Sequence, residues 1–336
     1  MITTRGVGRY ALVIGVASLL LAGCTSSVVA LSAVGVPSIS LVAPLTTVAC
    51  TSTGTCLTLG ASGAASGPTT AAQIRNHKGV WSALRVPAAL GASFDTASCA
   101  TNVCLFAGAQ STGDLLWSIN ADDGATTTLS GPAGGLLIRN LSCPSDSGCV
   151  AIDQAAHGLT RWSSTTDAGT HWSAPRTLAW ALDASTVLDC LSLAQCYLAT
   201  TSRHHLVSLR ETLDGGVTWT VITTPSTWTS LTSLDCHTTC TALVTQATGS
   251  SVATPSKTSW TQTDLGFSAA AMSCATPGSC LVVGHSPDQS ADMTQWQSSG
   301  LRRVSLTYVP SPLTNVACRA NVCVAVGVTT TVALRP

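Results

Sequence analysis

From residue 45 onward, apolar and polar positions alternate in short runs that small and turn-forming residues interrupt. Leu45–Cys50 reads LTTVAC and, after a five-residue turn, Cys56–Gly60 reads CLTLG. Such alternation, bounded by Thr, Ser and Gly, predicts two strands joined by a tight turn. Residues 69–76 give a weaker third strand, and Val80–Pro87 (VWSALRVP) a fourth that ends at proline. The same phrase returns as SLDC…CTALV, as AMSC…CLVVG and, at 315–327, as NVACRANVCVAVG, so each second strand is expected to open on its cysteine. Val, Leu and Ala dominate these runs, as expected of strands covered on both faces.

Cysteine spacing turns the phrase into a period. After Cys24, fourteen cysteines fall into seven close pairs: Cys50/Cys56, Cys99/Cys104, Cys143/Cys149, Cys190/Cys196, Cys236/Cys240, Cys274/Cys280 and Cys318/Cys323. Successive pairs start 49, 44, 47, 46, 38 and 44 residues apart. A β-rich period in the forties marks the four-stranded blade of a propeller. Cysteines flanking a tight turn stand opposite each other on paired strands, within disulfide reach. One local disulfide per blade is therefore expected, each worth about 2 kcal/mol in the chain-entropy picture. Metal ligation fits poorly, because the pairs recur without partner histidines and none is C-x-x-C. The last repeat holds two further strands after Cys318, the second at Thr329–Leu334, and lacks a fourth. The stretch GVPSISLVAP at 35–44 aligns with GVWSALRVP at 79–87 and is expected to supply it. The reading is an all-β, seven-bladed propeller over residues 36–336, closed by an N-terminal strand.

Charge narrows the partners. The 336 residues carry a formal net charge of zero, and the 15 basic residues form no cluster, which argues against nucleic acid or an anionic membrane surface. Glu211 is the only glutamate, so catalysis by paired carboxylates would rest on aspartates. No cofactor is expected. His204-His205 and His237 are read as surface residues rather than metal ligands, since adjacent strand residues point to opposite faces. The Asn140-Leu141-Ser142 sequon falls on a strand and is set aside.

The front end reads as an address. Arg5 and Arg9 precede an apolar stretch, Ala11 to Leu21, too short to span a bilayer. It ends in Leu21-Ala22-Gly23-Cys24, which resembles the lipobox of bacterial lipoproteins. That resemblance implies a signal peptide over 1–23, lipidation of Cys24, a tether over 24–35, and an extracytoplasmic chain held at the membrane by its lipid alone. Disulfides persist in such a compartment.

A second motif runs through the repeats. TTDAGTHW at 165–172 and TLDGGVTW at 212–219 fit S/T-x-D-x-G-x-T/H-W, and NADDGATT at 120–127 is a copy without the Trp. Asp122, Asp167 and Asp214 are expected to accept amides of their own turns. Gly124, Gly169 and Gly216 are expected at positive φ, and Trp172 and Trp219 between blades. With the period and the cysteine hairpins, the chain resembles the Asp-box propeller superfamily, which includes sialidases, and its cysteine-hairpin subgroup in bacterial envelope lipoproteins. The resemblance implies either a binding scaffold for an envelope glycan or protein or, alternatively, a sialidase-like glycoside hydrolase. The hydrolase needs a Tyr–Glu nucleophile, which neither Tyr197 nor Tyr308 shows in the sequence, and Arg85-Val86-Pro87 only approximates the expected Arg-Ile-Pro. A non-catalytic binding module is therefore expected. Candidate ligand contacts are Trp180, Trp228 and Tyr308 on blade links, with Arg203, His204, His285 and Asp288 on second-to-third loops.

Overall fold

The structure, a computed structural model, describes residues 34–35, 45–60, 72–75, 81–84, 86–87, 92–110, 113–133, 137–154, 159–181, 185–257, 259–304, 306, 311–320, 322–327 and 331–334. Strand β1 is Val34–Gly35. Sheet I holds β2 (Leu45–Cys50), β3 (Cys56–Gly60), β4 (Ala72–Arg75) and β5 (Trp81–Ala83). Sheet II holds β6 (Ser93–Cys99), β7 (Val103–Gln110), β8 (Gly113–Asn120) and β9 (Thr126–Leu129). Sheet III holds β10 (Ile138–Ser142), β11 (Cys149–Gln154), β12 (Leu159–Thr165) and β13 (Arg176–Ala181). Sheet IV holds β14 (Ser185–Cys190), β15 (Cys196–Thr201), β16 (Val207–Thr212) and β17 (Thr220–Ile222). Sheet V holds β18 (Trp228–Cys236), β19 (Cys240–Gln246), β20 (Gly249–Pro255) and β21 (Trp260–Asp264). Sheet VI holds β22 (Ser268–Thr276), β23 (Ser279–His285), β24 (Ala291–Gln297) and β25 (Gly300–Arg303). Sheet VII holds β26 (Leu313–Arg319), β27 (Val322–Gly327) and β28 (Thr331–Leu334), with β1 as its fourth strand.

Every pairing is antiparallel, and the first strands form a ring. β2 packs on β6, β6 on β10, β10 on β14, β14 on β18, β18 on β22, β22 on β26, and β26 returns to β2. Val34 pairs with Ala333 and Gly35 with Val332. The pairing strand thus begins inside the segment expected to be tether. Of the expected strand at 35–44, residues 36–44 lie outside the described residues, as do Cys24, Arg85 and Tyr308.

Apolar clusters fill the seams between neighbouring sheets. Leu57, Leu59, Phe94, Phe106 and Trp117 join I to II, and Val150, Ile152, Trp162, Leu188 and Leu198 join III to IV. Leu45, Val48, Val324 and Val326 join VII back to I. Each fully buried Leu, Val or Phe contributes about 1.5–3 kcal/mol. The cores are interfaces rather than a centre, which is why inner strands such as β3, β7 and β11 have apolar residues facing both ways.

The recurring glycine four residues after the second cysteine has a steric cause. All the first strands but β14 carry a register shift near their start, as between Phe94 and Thr96. The bulge brings the Ser93 carbonyl against β7, where a Cβ on Gly108 would stand 1.8 Å from that oxygen. Gly284 meets Ser268, and Gly327 meets Pro312, in the same way.

All seven cysteine pairs are bonded across the first hairpin of their own sheet: Cys50–Cys56, Cys99–Cys104, Cys143–Cys149, Cys190–Cys196, Cys236–Cys240, Cys274–Cys280 and Cys318–Cys323. Their Cα atoms lie 3.8–4.1 Å apart, closer than ordinary opposed strand residues. The expectation that each second strand opens on its cysteine holds for Cys56, Cys149, Cys196 and Cys240 and needs correction for the other three. In sheets II, VI and VII the strand opens one residue earlier, at Val103, Ser279 and Val322, so Cys104, Cys280 and Cys323 stand second in it. The reason is that hairpin bonding there runs a step beyond the bridge. Thr276 opposes Ser279, Arg319 opposes Val322, and Ala100 N donates to Val103 O at 3.0 Å.

First-to-second and third-to-fourth turns share one side of the ring, here called the hairpin face. Gly215 N donates to Ala194 O at 2.9 Å, and Ala168 N to Ser147 O at 2.9 Å, tying each Asp-box turn to the disulfide turn of its own sheet. Second-to-third loops and the links between sheets emerge on the other side, the loop face.

Candidate functional site

Three places concentrate polar chemistry: the central channel, the turns of the hairpin face, and the loop face.

The inner strands surround a channel of about 230 Å³ whose lining includes Asp95, Ser98, Ser142, Asp189, Asp235, Ser273 and Arg319. Most of these groups work as braces. From sheet II to sheet VI, the residue before the first cysteine of one sheet accepts the backbone N–H of the first cysteine in the next. Ser98 Oγ accepts Cys143 N at 2.9 Å, and Ser142 Oγ accepts Cys190 N at 2.9 Å. Asp189 Oδ2 accepts Cys236 N at 2.5 Å, Asp235 Oδ2 accepts Cys274 N at 2.8 Å, and Ser273 Oγ accepts Cys318 N at 3.0 Å. A β-strand side chain pointing into the ring's hole is thereby turned onto a backbone donor that would otherwise be orphaned.

Where the brace is Asp instead of Ser, a second oxygen remains. Asp235 Oδ1 lies 3.2 Å from His237 Nε2, at the channel mouth beside Arg319 and Asp189. Protein surrounds Asp189, although its side chain lines the channel and is only half-buried. Desolvation, then the neighbouring Asp235 charge, push its carboxyl up to about 7. Desolvation also acts on Asp235, but His237, Arg319 and the Cys274 N–H outweigh it and hold that carboxyl below the usual range. The Asp235 contact in turn raises His237.

The two intact Asp boxes are closed turns. Asp214 Oδ1 accepts Val217 N at 3.0 Å and Thr218 N at 2.8 Å, while Oδ2 accepts Thr218 Oγ1 at 2.6 Å. Asp167 accepts His171 N at 2.8 Å and contacts His171 Nδ1 at 2.6 Å. The Thr218 hydrogen bonds for Asp214, and the His171 bonds for Asp167, lower both carboxyls to about 2. Gly124, Gly169 and Gly216 all have positive φ. The third copy corrects the expectation for Asp122. There Asn120 Oδ1 accepts the Asp122 N–H, and Asp123, not Asp122, accepts Ala125 N at 2.8 Å. Trp172, like Leu129, packs against the seam between II and III. Trp219 stands edge-on to Trp162 at 5.4 Å and to Trp180 at 5.7 Å.

Two of the expected ligand contacts move. Trp228 is 2 % exposed at the start of β18. Its ring meets Trp260 at 5.0 Å and its Nε1 donates to Gln262 Oε1, because the indole fills the seam between IV and V. Trp180 lies on β13, half-buried, with the Arg210 guanidinium 4.3 Å above it. Both sit on strands rather than links. The loop face keeps the others: Arg203, His204 and Asp288 are exposed, and His285 is half-buried at the end of β23. Leu206, 70 % exposed, joins Arg203 and His204 on the β15–β16 loop.

Sequence reading missed one juxtaposition. Tyr197 and Glu211 are direct cross-strand neighbours on β15 and β16, and Gln195 Nε2 donates to both, at 3.1 Å each. The register of two strands counted from Cys196 and from the Asp box would have found it. Burial first, and then Glu211, raise the Tyr197 hydroxyl rather than activating it.

Among the described residues, no group of three His, Cys, Asp or Glu side chains is placed to hold a metal ion. No helix among them is long and apolar enough to cross a membrane.

Seven four-stranded antiparallel sheets whose first strands ring a polar channel leave one architecture. The chain folds as a β-propeller. Solved structures agree. A YCF48 chain, from YCF48 bound to D1 peptide, superposes with a TM-score of 0.64 at 12 % identity, covering 94 % of this chain and 99 % of its own. A chain of the mitotic checkpoint complex gives 0.63 at 9 % identity, covering 100 % and 99 %. The β-propeller domain of the Trilobed protease from Pyrococcus furiosus gives 0.60 at 7 % identity, covering 84 % and 88 %. At such identities the likeness is one of fold. No sequence family matches the propeller, and no curated protein does.

Proposed function

We propose that this propeller is a lipid-anchored extracytoplasmic binding module that captures an envelope partner, a protein segment in the first place, on its loop face. Seven disulfides belong to an oxidising compartment. The lipobox-like Leu21–Cys24 supports lipidation of Cys24. The observation that carries the binding reading is the division of labour between the faces. Asp189 and Asp235 in the channel and Asp167 and Asp214 on the hairpin face are committed to braces and turns, whereas Arg203, His204 and Leu206 stand exposed on a loop held by a rigid sheet. A cation beside an exposed apolar side chain suits a peptide carrying acidic and aliphatic residues. The YCF48 neighbour with its bound peptide supports a peptide over a glycan. The test is a peptide, glycan and envelope-extract binding screen on the purified chain. Arg203→Ala with Leu206→Ser is expected to weaken capture at least tenfold without moving Tm. Unchanged capture by that variant overturns the face assignment.

The Tyr197–Glu211 pair favours a second reading, a sialidase-like hydrolase. Its hydroxyl is raised, and it sits towards the hairpin end of sheet IV instead of the channel. Sialoside turnover abolished by Tyr197→Phe would establish the hydrolase.

A further inference from the structure

The direction of β1 fixes the face from which the chain enters the ring. β1 runs antiparallel to β28, as the fourth strands β5, β9, β13, β17, β21 and β25 run to their third strands. A fourth strand starts on the hairpin face and ends on the loop face. Val34 is therefore reached from the hairpin face. Cys24 lies ten residues earlier in the chain, within about 35 Å even if fully extended.

Among the described residues, that face carries an exposed apolar tip on sheet IV. Of the large apolar side chains exposed among the described residues, Leu213 (66 %) and Val217 (62 %) stand on the hairpin face, together on the Asp-box turn of sheet IV. The other intact box, TTDAGTHW, puts Thr166 and Thr170 there. The disulfide turn beside it is also singular. It reads LSLAQ, with Leu191 and Leu193 half-buried, whereas the other six read TSTGT, ATNV, PSDSG, HTT, ATPGS and RANV. The two apolar turns are joined by the bond from Gly215 N to Ala194 O. The oxygens of Asp214 are turned inward onto Val217, Thr218 and Thr212. Exposed Arg176 on sheet III donates to Gly215 O at 3.3 Å, and exposed Lys257 lies on the third-to-fourth turn of sheet V, the next sheet round the ring.

We propose that the hairpin face rests on the lipid surface, with Leu213 and Val217 inserted among the acyl chains and Arg176 and Lys257 at headgroup depth. This rests on the lipid anchor proposed above. It adds an orientation and a second, non-covalent contact, so that the loop face points away from the bilayer towards its partner. An apolar tip beside the lipid is a second, non-covalent signal that adds buried apolar area to the attachment. Insertion is driven by apolar burial, so the contact is insensitive to salt.

Hydrogen–deuterium exchange tests it. The full chain, acylated at Cys24 in phosphatidylcholine vesicles, is compared with the Cys24→Ser chain in buffer. Amides of 191–195 and 213–218 are expected to slow at least fivefold on vesicles, with 203–206 and 286–290 unchanged. Leu213→Ser with Val217→Ser should abolish the slowing while the acylated chain stays on the vesicles. Unchanged exchange at 213–218, slowing on the loop face instead, or the same slowing in concentrated vesicle-free protein (a second copy as the occupant) overturns the proposal. Acylation is read separately by fatty-acid labelling. If Cys24 is not acylated, the anchor reading fails and flotation of the chain with the same vesicles decides. Flotation lost in the double variant upholds the lipid contact, and none in the wild type overturns it.

Discussion

Asp146 reaches out of the disulfide turn of sheet III, and its Oδ1 accepts Asn102 N–H at 2.8 Å in the disulfide turn of sheet II. Thr101 N and Val103 N converge on the same oxygen, at 2.7 and 3.2 Å. One carboxylate thus satisfies three successive amides of a neighbouring hairpin, a backbone nest closed from within the protein. Asp146→Ala is expected to cost about 1–3 kcal/mol, because charge-assisted bonds are lost and the amides are left to water. Asp146→Asn should recover part of it. Equal denaturation midpoints for wild type and Asp146→Ala would remove the nest from the list of inter-sheet clasps.

Stability is expected to fall between about pH 4 and pH 7, and Asp189 is the main reason. Its folded-state carboxyl is raised to about 7, above the unfolded value, so the folded state holds a proton that the unfolded chain has released. Rising pH therefore draws stability away until Asp189 ionises. His237 is raised as well, and its contribution is present below its unfolded value and fades as pH passes the folded one. Asp235 has the opposite sign, contributing above its unfolded value and losing that as pH falls through its folded one. Melting curves at pH 5 and pH 8 should show the wild type more stable at pH 5. Asp189→Asn, whose amide oxygen still accepts Cys236 N–H, should narrow that gap. A gap unchanged in Asp189→Asn refutes the assignment.

Gly216 has φ +83°, and a Cβ there would stand 2.8 Å from the Trp162 ring. Gly249, at φ +131°, has nothing within 4 Å of the same atom. Gly216→Ala is expected to destabilise by about 2 kcal/mol or more, through backbone strain plus the displaced indole. Gly249→Ala should show the strain without the clash. Equal losses in the two variants would mean that Trp162 yields freely.

Trp228→Ala is expected to lower stability by about 3–5 kcal/mol, since it empties a buried seam and takes the indole N–H from Gln262, which keeps Gln246 as its donor. Partner capture by the fraction still folded should be normal. A stable Trp228→Ala chain with weakened capture would restore this indole to the binding surface.

What the sequence made legible was what repeats. Paired cysteines announced each first hairpin. The strand edge beside the bridge was less legible. At Cys104, Cys280 and Cys323 the ladder gains one more residue, because pairing across a turn is decided by backbone bonds such as Ala100 to Val103 and not by where the cysteine falls. Asp167 and Asp214 could be read because an Asp-box turn is stabilised by bonds within four residues of itself. The degenerate copy misled: with Asn120 in the place of Thr, the acceptor passes from Asp122 to Asp123. Trp180 and Trp228 misled for a different reason. The boundary between a link and a strand is set by seams with the neighbouring sheet, some forty residues distant, and not by the local run TLAWALD or PSTWTS. Tyr197 and Glu211, fourteen residues apart, needed a strand register to be brought together.

The braces from Ser98, Ser142, Asp189, Asp235 and Ser273 carry the ring from sheet II round to sheet VII, and there the series stops. The equivalent positions in sheets VII and I are Ala317 and Ala49, whose methyl groups accept nothing. The propeller is in this respect a hoop with a cut in it, and the cut lies where the two ends of the chain meet. Under heat or mechanical load, sheet I should swing out before any other. A tether that pulls on β1 pulls directly beside that cut.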